Sequence, residues 1–427
     1  MIHAPHLISA ASGPLRALET HCLERHTDIE AWLHRRFLDS QAPFYASIDL
    51  RNAGWKMAPV DTNLFPAGFN NLPPALAPLA RRCLQAAIQR YCPRASQVLL
   101  VPENHTRNLY YLDNVARLQQ LLAGAGYEVR IGSADPALRE PAELRSQSGH
   151  ALRVEPLQRN GRRLVLPDFD PCVVLLNNDL AGGLPEMLSD VEQPLLPPSS
   201  IGWNRRLKSE HFAVYAEVAR EFGSAFDLDP WLIDPLWRNC GQVDFMKREG
   251  EECIAHNVEQ LLASTAEKYA EHDIDAEPYV VIKADAGTYG MGVMVARSVD
   301  DVSALNRKQR KAMAATKGRS VSQVILQEGI PTAEFVDGAV AEPVFYCIEQ
   351  HVVGGFYRVH TDRGADESLN APGMHFKPFA IDDSCAAPDP GVDCDAPPNR
   401  FYAAGVVARL AVLAAAREIE RAQQRAA

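Results

Sequence analysis

The stretch from Val280 to Val295, VVIKADAGTYGMGVMV, decides how the chain is read. An apolar run ending in Lys283 leads into Gly287, Gly290 and Gly292 and then into a second apolar run, the pattern of a glycine-rich hairpin between two strands. A P-loop needs Gly-Lys-Ser/Thr opening a helix, and a dinucleotide fingerprint needs its glycines between a strand and a helix; a strand follows here, so both are excluded. A protein kinase also lays a glycine hairpin over phosphates, but its lysine comes on a later strand, whereas Lys283 stands ahead of the loop. Alone, such a loop is no more than a long turn, so its surroundings carry the argument.

Further on, Gln327-Glu328 sits on another short apolar run. A strand lysine, then a glycine hairpin, then a strand-borne Gln-Glu resembles the layout of ATP-grasp enzymes, in which the nucleotide lies between two α+β lobes. That resemblance implies that Gly287, Thr288, Tyr289, Gly290 and Gly292 approach phosphates, since small residues let backbone N–H groups come close. It implies that Lys283 neutralises phosphate charge and that Gln327-Glu328-Gly329-Ile330 offers backbone groups to adenine. Lys208, in GWNRRLKSEHF, is by position the earlier lysine that usually completes such a site.

Upstream, helical spacing is present over Pro14 to Phe37 and over Pro74 to Tyr91. The segment between, Phe44 to Leu72, reads as loop-rich, with Asp49, Arg51, Asn52, Lys56, Asp61, Asn63, Asn70 and Asn71 among aromatics and prolines. Gln97 to Pro102, Asn108 to Leu122 and Tyr127 to Ile131 form a strand, helix and strand, and Val173 to Leu176 is a further strand. A parallel sheet is expected there, with ligands at the strand ends, where His105, Arg107 and Asn108 follow the first strand.

The proline-rich Gln193 to Ser200 marks a boundary near 195. Beyond it come helical patterns over Arg206 to Phe222 and Glu249 to His272, the glycine hairpin, a basic helix over Asp301 to Lys317, and strands near Val324, Pro343 and Phe356. The Ala-rich end, Ala403 to Ala427, is a packed helix. The expected fold class is α/β plus α+β: a parallel-sheet substrate domain over 1–195, a first ATP-grasp-like lobe with the glycine loop over 196–320, and a second lobe with the C-terminal helix over 321–427.

With 43 Lys and Arg against 54 Asp and Glu, the formal charge is −11, which repels phosphate backbones and disfavours nucleic acid as the main partner. The nine cysteines include no C-x-x-C pair and are read as reduced thiols. No leader and no membrane-length apolar run is present, so a cytoplasmic protein acting on small molecules is expected, with homo-oligomerisation open.

Phosphoryl chemistry needs cations and usually magnesium. On the ATP-grasp resemblance, Arg358, after an expected Gly354-Gly355 turn, is the arginine that contacts phosphate or substrate, and Glu367 and Asn370 are the candidate magnesium ligands, with Glu328, Glu342 and Asp366 in reserve.

Longer strings add a specific resemblance. SIDLRNAGWKMAPVDTNLFPAGFNNL at 47–72, VPENHTRN at 101–108, LLNNDLAGG at 175–183, PPSSIGWNRRLKSEHF at 197–212 and IKADAGTYGMGVM at 282–294 together look like the proteobacterial, ATP-grasp-like glutamate-cysteine ligase family. The implied reaction joins L-glutamate, through a γ-acyl phosphate made from ATP, to L-cysteine, the first step of glutathione synthesis. On that resemblance Lys283 and Arg358 are catalytic, Lys208 and the glycine loop hold ATP, and Arg51, Asn52, Lys56, Asp61, Asn63, His105, Arg107 and Asn108 bind the amino acids. His105, His211 and Glu328 are eligible to deprotonate the amine. Two alternatives are a ligase with other substrates, such as one joining glycine to γ-glutamylcysteine, and a non-catalytic nucleotide or amino-acid binder.

Overall fold

The computed structural model describes residues 13–104, 108–287, 293–316, 319–379 and 400–426. The first helical pattern divides at Arg25 into α1 (Pro14–Glu24) and α2 (His26–Asp39), where the His26 ring donates to the Leu23 carbonyl at 2.9 Å. The segment expected to be loop-rich is instead a hairpin of β1 (Tyr45–Asn52) and β2 (Met57–Asn63). Its Asp49 and Arg51 sit at alternate positions on one face while Ile48 and Leu50 enter the core on the other, which is ordinary strand period.

There follow α3 (Ala77–Tyr91), β3 (Gln97–Pro102), α4 (Leu109–Gly124), β4 (Glu128–Ser133), β5 (Ala142–Arg145), β6 (Ala151–Pro156), the small hairpin β7 (Gln158–Asn160) and β8 (Arg163–Val165), β9 (Val173–Asn177) and β10 (Leu195–Leu196). Strands β10, β9, β3, β4, β6 and β5 lie in that order in one sheet, parallel throughout except for β5. Val98 and Leu100 pack with α3 and α4 on one face, while Leu99 and Val101 join the main core on the other, so both faces are covered as parallel sheets require.

The chain continues through α5 (Lys208–Phe226), β11 (Trp237–Gly241), α6 (Glu251–Glu271), β12 (Val280–Ala284), β13 (Val293–Ala296), α7 (Asp300–Ser303), α8 (Arg307–Met313), β14 (Ala315–Thr316), β15 (Arg319–Ser320) and β16 (Gln323–Glu328). The expected single basic helix over Asp301 to Lys317 is therefore two short helices, interrupted where Asn306 starts α8 with a reciprocal capping box to Gln309. An antiparallel sheet takes the order β11, β16, β12, β13.

Last come β17 (Glu334–Val336), β18 (Ala339–Ile348), β19 (His351–His360), β20 (His375–Pro378) and α9 (Arg400–Ala426). A third sheet, antiparallel, runs β2, β1, β18, β19, β20, with β17 against β18. Gly354 and Gly355 are not a turn: they lie inside β19 next to a register shift, where Gly354 takes φ +137° and a side chain on Gly355 would collide with the Phe379 ring and the Val344 carbonyl.

The sheets cross the boundaries expected from sequence. Hairpin β1–β2, from before residue 195, pairs with β18, and β16, from after residue 320, completes the sheet of β11–β13. Helix α9 accounts for this arrangement: its residues from Phe401 to Ala416 are buried in the core that also contains α1, α2, α5 and the inner face of β1. One cysteine pair departs from the reduced reading. Cys92, just after α3, and Cys172, just before β9, are joined as a disulfide with Cα atoms 6.5 Å apart, a meeting that a sequence separation of 80 does not reveal.

Candidate functional site

The third sheet and the β11–β13/β16 sheet face each other across a cleft of about 860 Å³, open solvent at its mouth included. Register explains which side chains enter it. Asp49 lies opposite both Asp61 and Val344, and Glu342 lies opposite Arg358, so Asp49, Arg51, Asp61, Glu342 and Arg358 share one face of the first wall. Lys283 lies opposite Val293, and Val281 opposite Val295 and Gln327, so these five share the facing wall. Tyr279, Val281, Val295 and Ile330 make an apolar end, and Lys283, with Val293 opposite it, lies at the other, polar end, toward Asp61 and Lys208.

Lys208 reaches the polar end because the loop after Lys283 fixes the start of α5. Asp285 accepts from Ser209 N at 2.7 Å and Ser209 Oγ at 2.6 Å, and its carbonyl accepts from Lys208 N at 2.8 Å. A carboxylate there satisfies orphan N–H groups and complements the helix dipole. Lys208 Nζ then pairs with Asp61 at 2.7 Å and stands over the Trp203 ring. Burial pushes the Asp61 pKa up, but Lys208 and Lys283 outweigh it and hold this carboxyl below its usual range.

Lys283 differs from its neighbours. Among the described residues its Nζ donates to two neutral oxygens, Val60 O at 2.9 Å and Gln327 Oε1 at 2.7 Å. Burial lowers its pKa to about 8, with Asp61 opposing the shift and Lys208 and Arg51 adding to it. Two more donors in the wall, Gln327 Nε2 and Arg358 Nε, are buried without an acceptor among the described residues. Arg358 bonds Asp49 at 2.8 Å and also Glu342. Arg51 bonds Glu342 at 2.6 Å, Ala365 O at 2.8 Å and Glu367 O at 2.7 Å. Arg51 thus fastens the 363–370 loop beside the cleft. Burial alone would raise the pKa of Glu342, but Arg51 and Arg358 keep it lowered.

Of the residues singled out in the sequence, Arg51, Asp61, Lys208, Lys283, Gly287, Gln327, Glu328, Arg358, Glu367 and Asn370 line this cleft. Thr288, Tyr289, Gly290, Gly292, His105 and Arg107 lie outside the described residues. Four others do not come to the cleft, and each has a structural partner. Asn52 Nδ2 donates to Glu334 at 2.5 Å, Asn63 Oδ1 accepts from Phe65 N at 2.9 Å, Asn108 caps α4 at Tyr111 N, and Lys56 is buried against Glu328. The Glu328 carboxylate points away from a nucleotide role, since Lys56 holds it at 2.8 Å, Leu236 N at 3.0 Å and Trp231 Nε1 at 3.2 Å. His211 is likewise occupied, with Glu418 at 2.9 Å. Sequence reasoning missed Asp49 and Tyr279 as site residues. The alternation Ile48, Asp49, Leu50, Arg51 was the available signal for the first.

Oxygen donors suit a hard cation, and Asp49, Asp61 and Glu342 bring carboxylates to the wall that holds the cations. The Glu367 carboxylate likewise has partners, Arg363 at 2.7 Å and Gly364 N at 2.8 Å.

A mixed α/β scaffold with a cleft between two sheets, lined by cations and carboxylates together, is a scaffold for an enzyme of charged small molecules. The family model for GshA, glutamate-cysteine ligase, matches residues 19–419, and the chain belongs to that family. Its reaction is therefore the ligation of glutamate to cysteine in glutathione synthesis. A solved structure of "Putative gamma-glutamylcysteine synthetase" from Methylobacillus flagellatus KT is 52% identical, with 99% of this chain and 100% of that chain covered and a TM-score of 0.90. D-alanyl-alanine synthetase A from Vibrio cholerae, at 12% identity over 66% of this chain and 73% of that one with a TM-score of 0.30, is too distant to carry an argument. No curated protein matches. Among the described residues no helix is long and apolar enough to cross a membrane.

Proposed function

We propose that the cleft is an ATP-grasp-like site in which ATP activates the glutamate γ-carboxylate as an acyl phosphate, which the cysteine amine then attacks. The observation that carries this is Lys283, a partly buried ammonium whose bonds among the described residues go to two neutral oxygens, beside two buried donors, Gln327 Nε2 and Arg358 Nε, that lack acceptors among those residues. A polyphosphate supplies what all three lack.

In this reading the apolar end receives adenine against Tyr279, Val281, Val295 and Ile330, with the backbone of Gln327 to Ile330 as its edge contact. Gly329 has no room for a side chain, since a Cβ there would lie 2.2 Å from the Tyr279 ring. Lys208, Lys283 and Arg358 stabilise the phosphoryl group as it passes to a γ-carboxylate oxygen and the negative charge that develops on the departing ADP. Magnesium, when bound, adds a hard cation that neutralises phosphate oxygens. Glu367 and Asn370, with Asp49, Asp61 and Glu342, are the oxygen donors of the cleft that would hold it. The amino acids lie at the polar end, near Arg358 and the mouth of the cleft. The chain works in the cytoplasm, and two of its three larger sheets combine strands from either side of the expected boundaries.

Mg-ATP, L-glutamate and L-cysteine are expected to yield ADP only when both amino acids are present, with a γ-glutamylcysteine mass in the product. Turnover of γ-glutamylcysteine with glycine instead would support the altered ligase. ATP binding without turnover under any pair would support the non-catalytic reading.

A pH dependence follows from Lys283. Its cation, which holds phosphate, is present below its pKa of about 8 and is lost as pH rises. The kcat/KM for ATP in the free enzyme is therefore expected to fall above about pH 8, and Lys283→Arg to remove that limb, because a guanidinium stays charged. A limb unchanged in Lys283→Arg would assign it to another group.

A further inference from the structure

Outside the cleft, two thiols lie closer than unbonded sulfur atoms normally do: Cys240 Sγ and Cys253 Sγ are 2.7 Å apart. Cys240 is buried on β11, and Cys253 is exposed in the first turn of α6. The connection between them is a tight reversal. Gln242 and Arg248 take φ of 60° and 63°, Gly250 takes 82°, and Asp244 accepts from Met246 N at 2.9 Å and Lys247 N at 3.1 Å. This reversal turns α6 back over the edge strand and sets one sulfur over the other. Asn257, one helical turn on, donates from Nδ2 to Cys240 Sγ at 3.1 Å and to Cys253 Sγ at 3.5 Å, so a polar group is already placed beside both. The other described cysteines outside the disulfide, Cys22, Cys83 and Cys347, are buried.

We propose that Cys240 and Cys253 form a reversible dithiol–disulfide site that reacts with small-molecule disulfides. The exposed Cys253 thiolate attacks one sulfur of R–S–S–R, forming a Cys253 mixed disulfide and releasing RS⁻. Cys240, as thiolate, then attacks the Cys253 sulfur, forming the internal disulfide and releasing the second RS⁻. Two protons leave the protein thiols, and the two electrons removed from them reduce the small disulfide to two thiols. The order follows from access: burial pushes the Cys240 thiol up to about 12, and Cys253 is the sulfur that solvent reaches. The bond fastens α6 to β11, whose Trp237 lies opposite Gln327 in the wall of the cleft.

The test equilibrates the folded full chain in graded ratios of bis(2-hydroxyethyl) disulfide to 2-mercaptoethanol, quenches with N-ethylmaleimide and maps peptides by mass. Expected is a Cys240–Cys253 crosslink that grows with the ratio, vanishes in excess thiol and is accompanied by loss of maleimide label at Cys253. In Cys240→Ser the hydroxyethylthio adduct should instead stay trapped on Cys253. In Cys253→Ser no crosslink should form and Cys240 should stay free of adduct, which covers the case in which the first variant misfolds. Cys253 fully labelled at every ratio, or carrying as much adduct in the native chain as in Cys240→Ser, would overturn the proposal.

Discussion

Replacing Lys283 by methionine is expected to lower kcat for glutamate–cysteine ligation by on the order of 100- to 1,000-fold, the usual loss when one preorganised charge-stabilising group is removed from a transition state. Methionine keeps an unbranched stem of similar reach and removes only the ammonium. The protein loses two hydrogen bonds to neutral oxygens, Val60 O and Gln327 Oε1, and is relieved of a cation that Lys208 and Arg51 already disfavour. Stability should therefore hold while chemistry fails. Steady-state kinetics beside a urea midpoint separate the two; full turnover in a folded variant would remove Lys283 from the reaction.

Breaking the Lys56–Glu328 pair is expected to do the reverse, costing about 3–5 kcal/mol of stability because a buried charge is left without its partner. The two side chains are 1% and 0% exposed, joined at 2.8 Å, with the ammonium 4.1 Å from the Trp231 ring centre. Burial lowers the Lys56 pKa and Glu328 opposes that shift, so the pair is held by mutual need. Lys56→Met should lower the urea midpoint strongly, and Lys56→Met with Glu328→Leu should recover part of the loss, since no buried charge is then left, while Leu236 N and Trp231 Nε1 lose their acceptor. Equal midpoints for the native chain and Lys56→Met would show that the pair contributes nothing. Any loss of ATP affinity in Lys56→Met is indirect, through the β16 end that carries Gln327.

These two lysines show where the sequence was readable. The strand bearing Lys283 and the hairpin after it follow from local order, because apolar runs and glycines act over a few residues. The same holds for Gln97–Pro102 and Val293–Ala296, whose bounds the structure repeats. Lys56 was placed among substrate contacts because nothing near it in sequence shows Glu328 and Trp231, both supplied by distant elements. Asp49 was passed over for a related reason. Its strand carries charge on the face that meets the cleft, so the segment looks like polar loop although Ile48 and Leu50 alternate with Asp49 and Arg51. The pairing of that strand with Ala339–Ile348 depends on contacts across nearly the whole chain, which local pattern does not encode. Cys92–Cys172, separated by 80 residues, belongs to the same class of long-range fact.

The most direct test of the central claim uses L-glutamate labelled with oxygen-18 in the γ-carboxylate, incubated with Mg-ATP and L-cysteine. The account predicts that each phosphate released carries one labelled oxygen, taken from the carboxylate when the amine displaces the acyl phosphate. Unlabelled phosphate alongside γ-glutamylcysteine would contradict it.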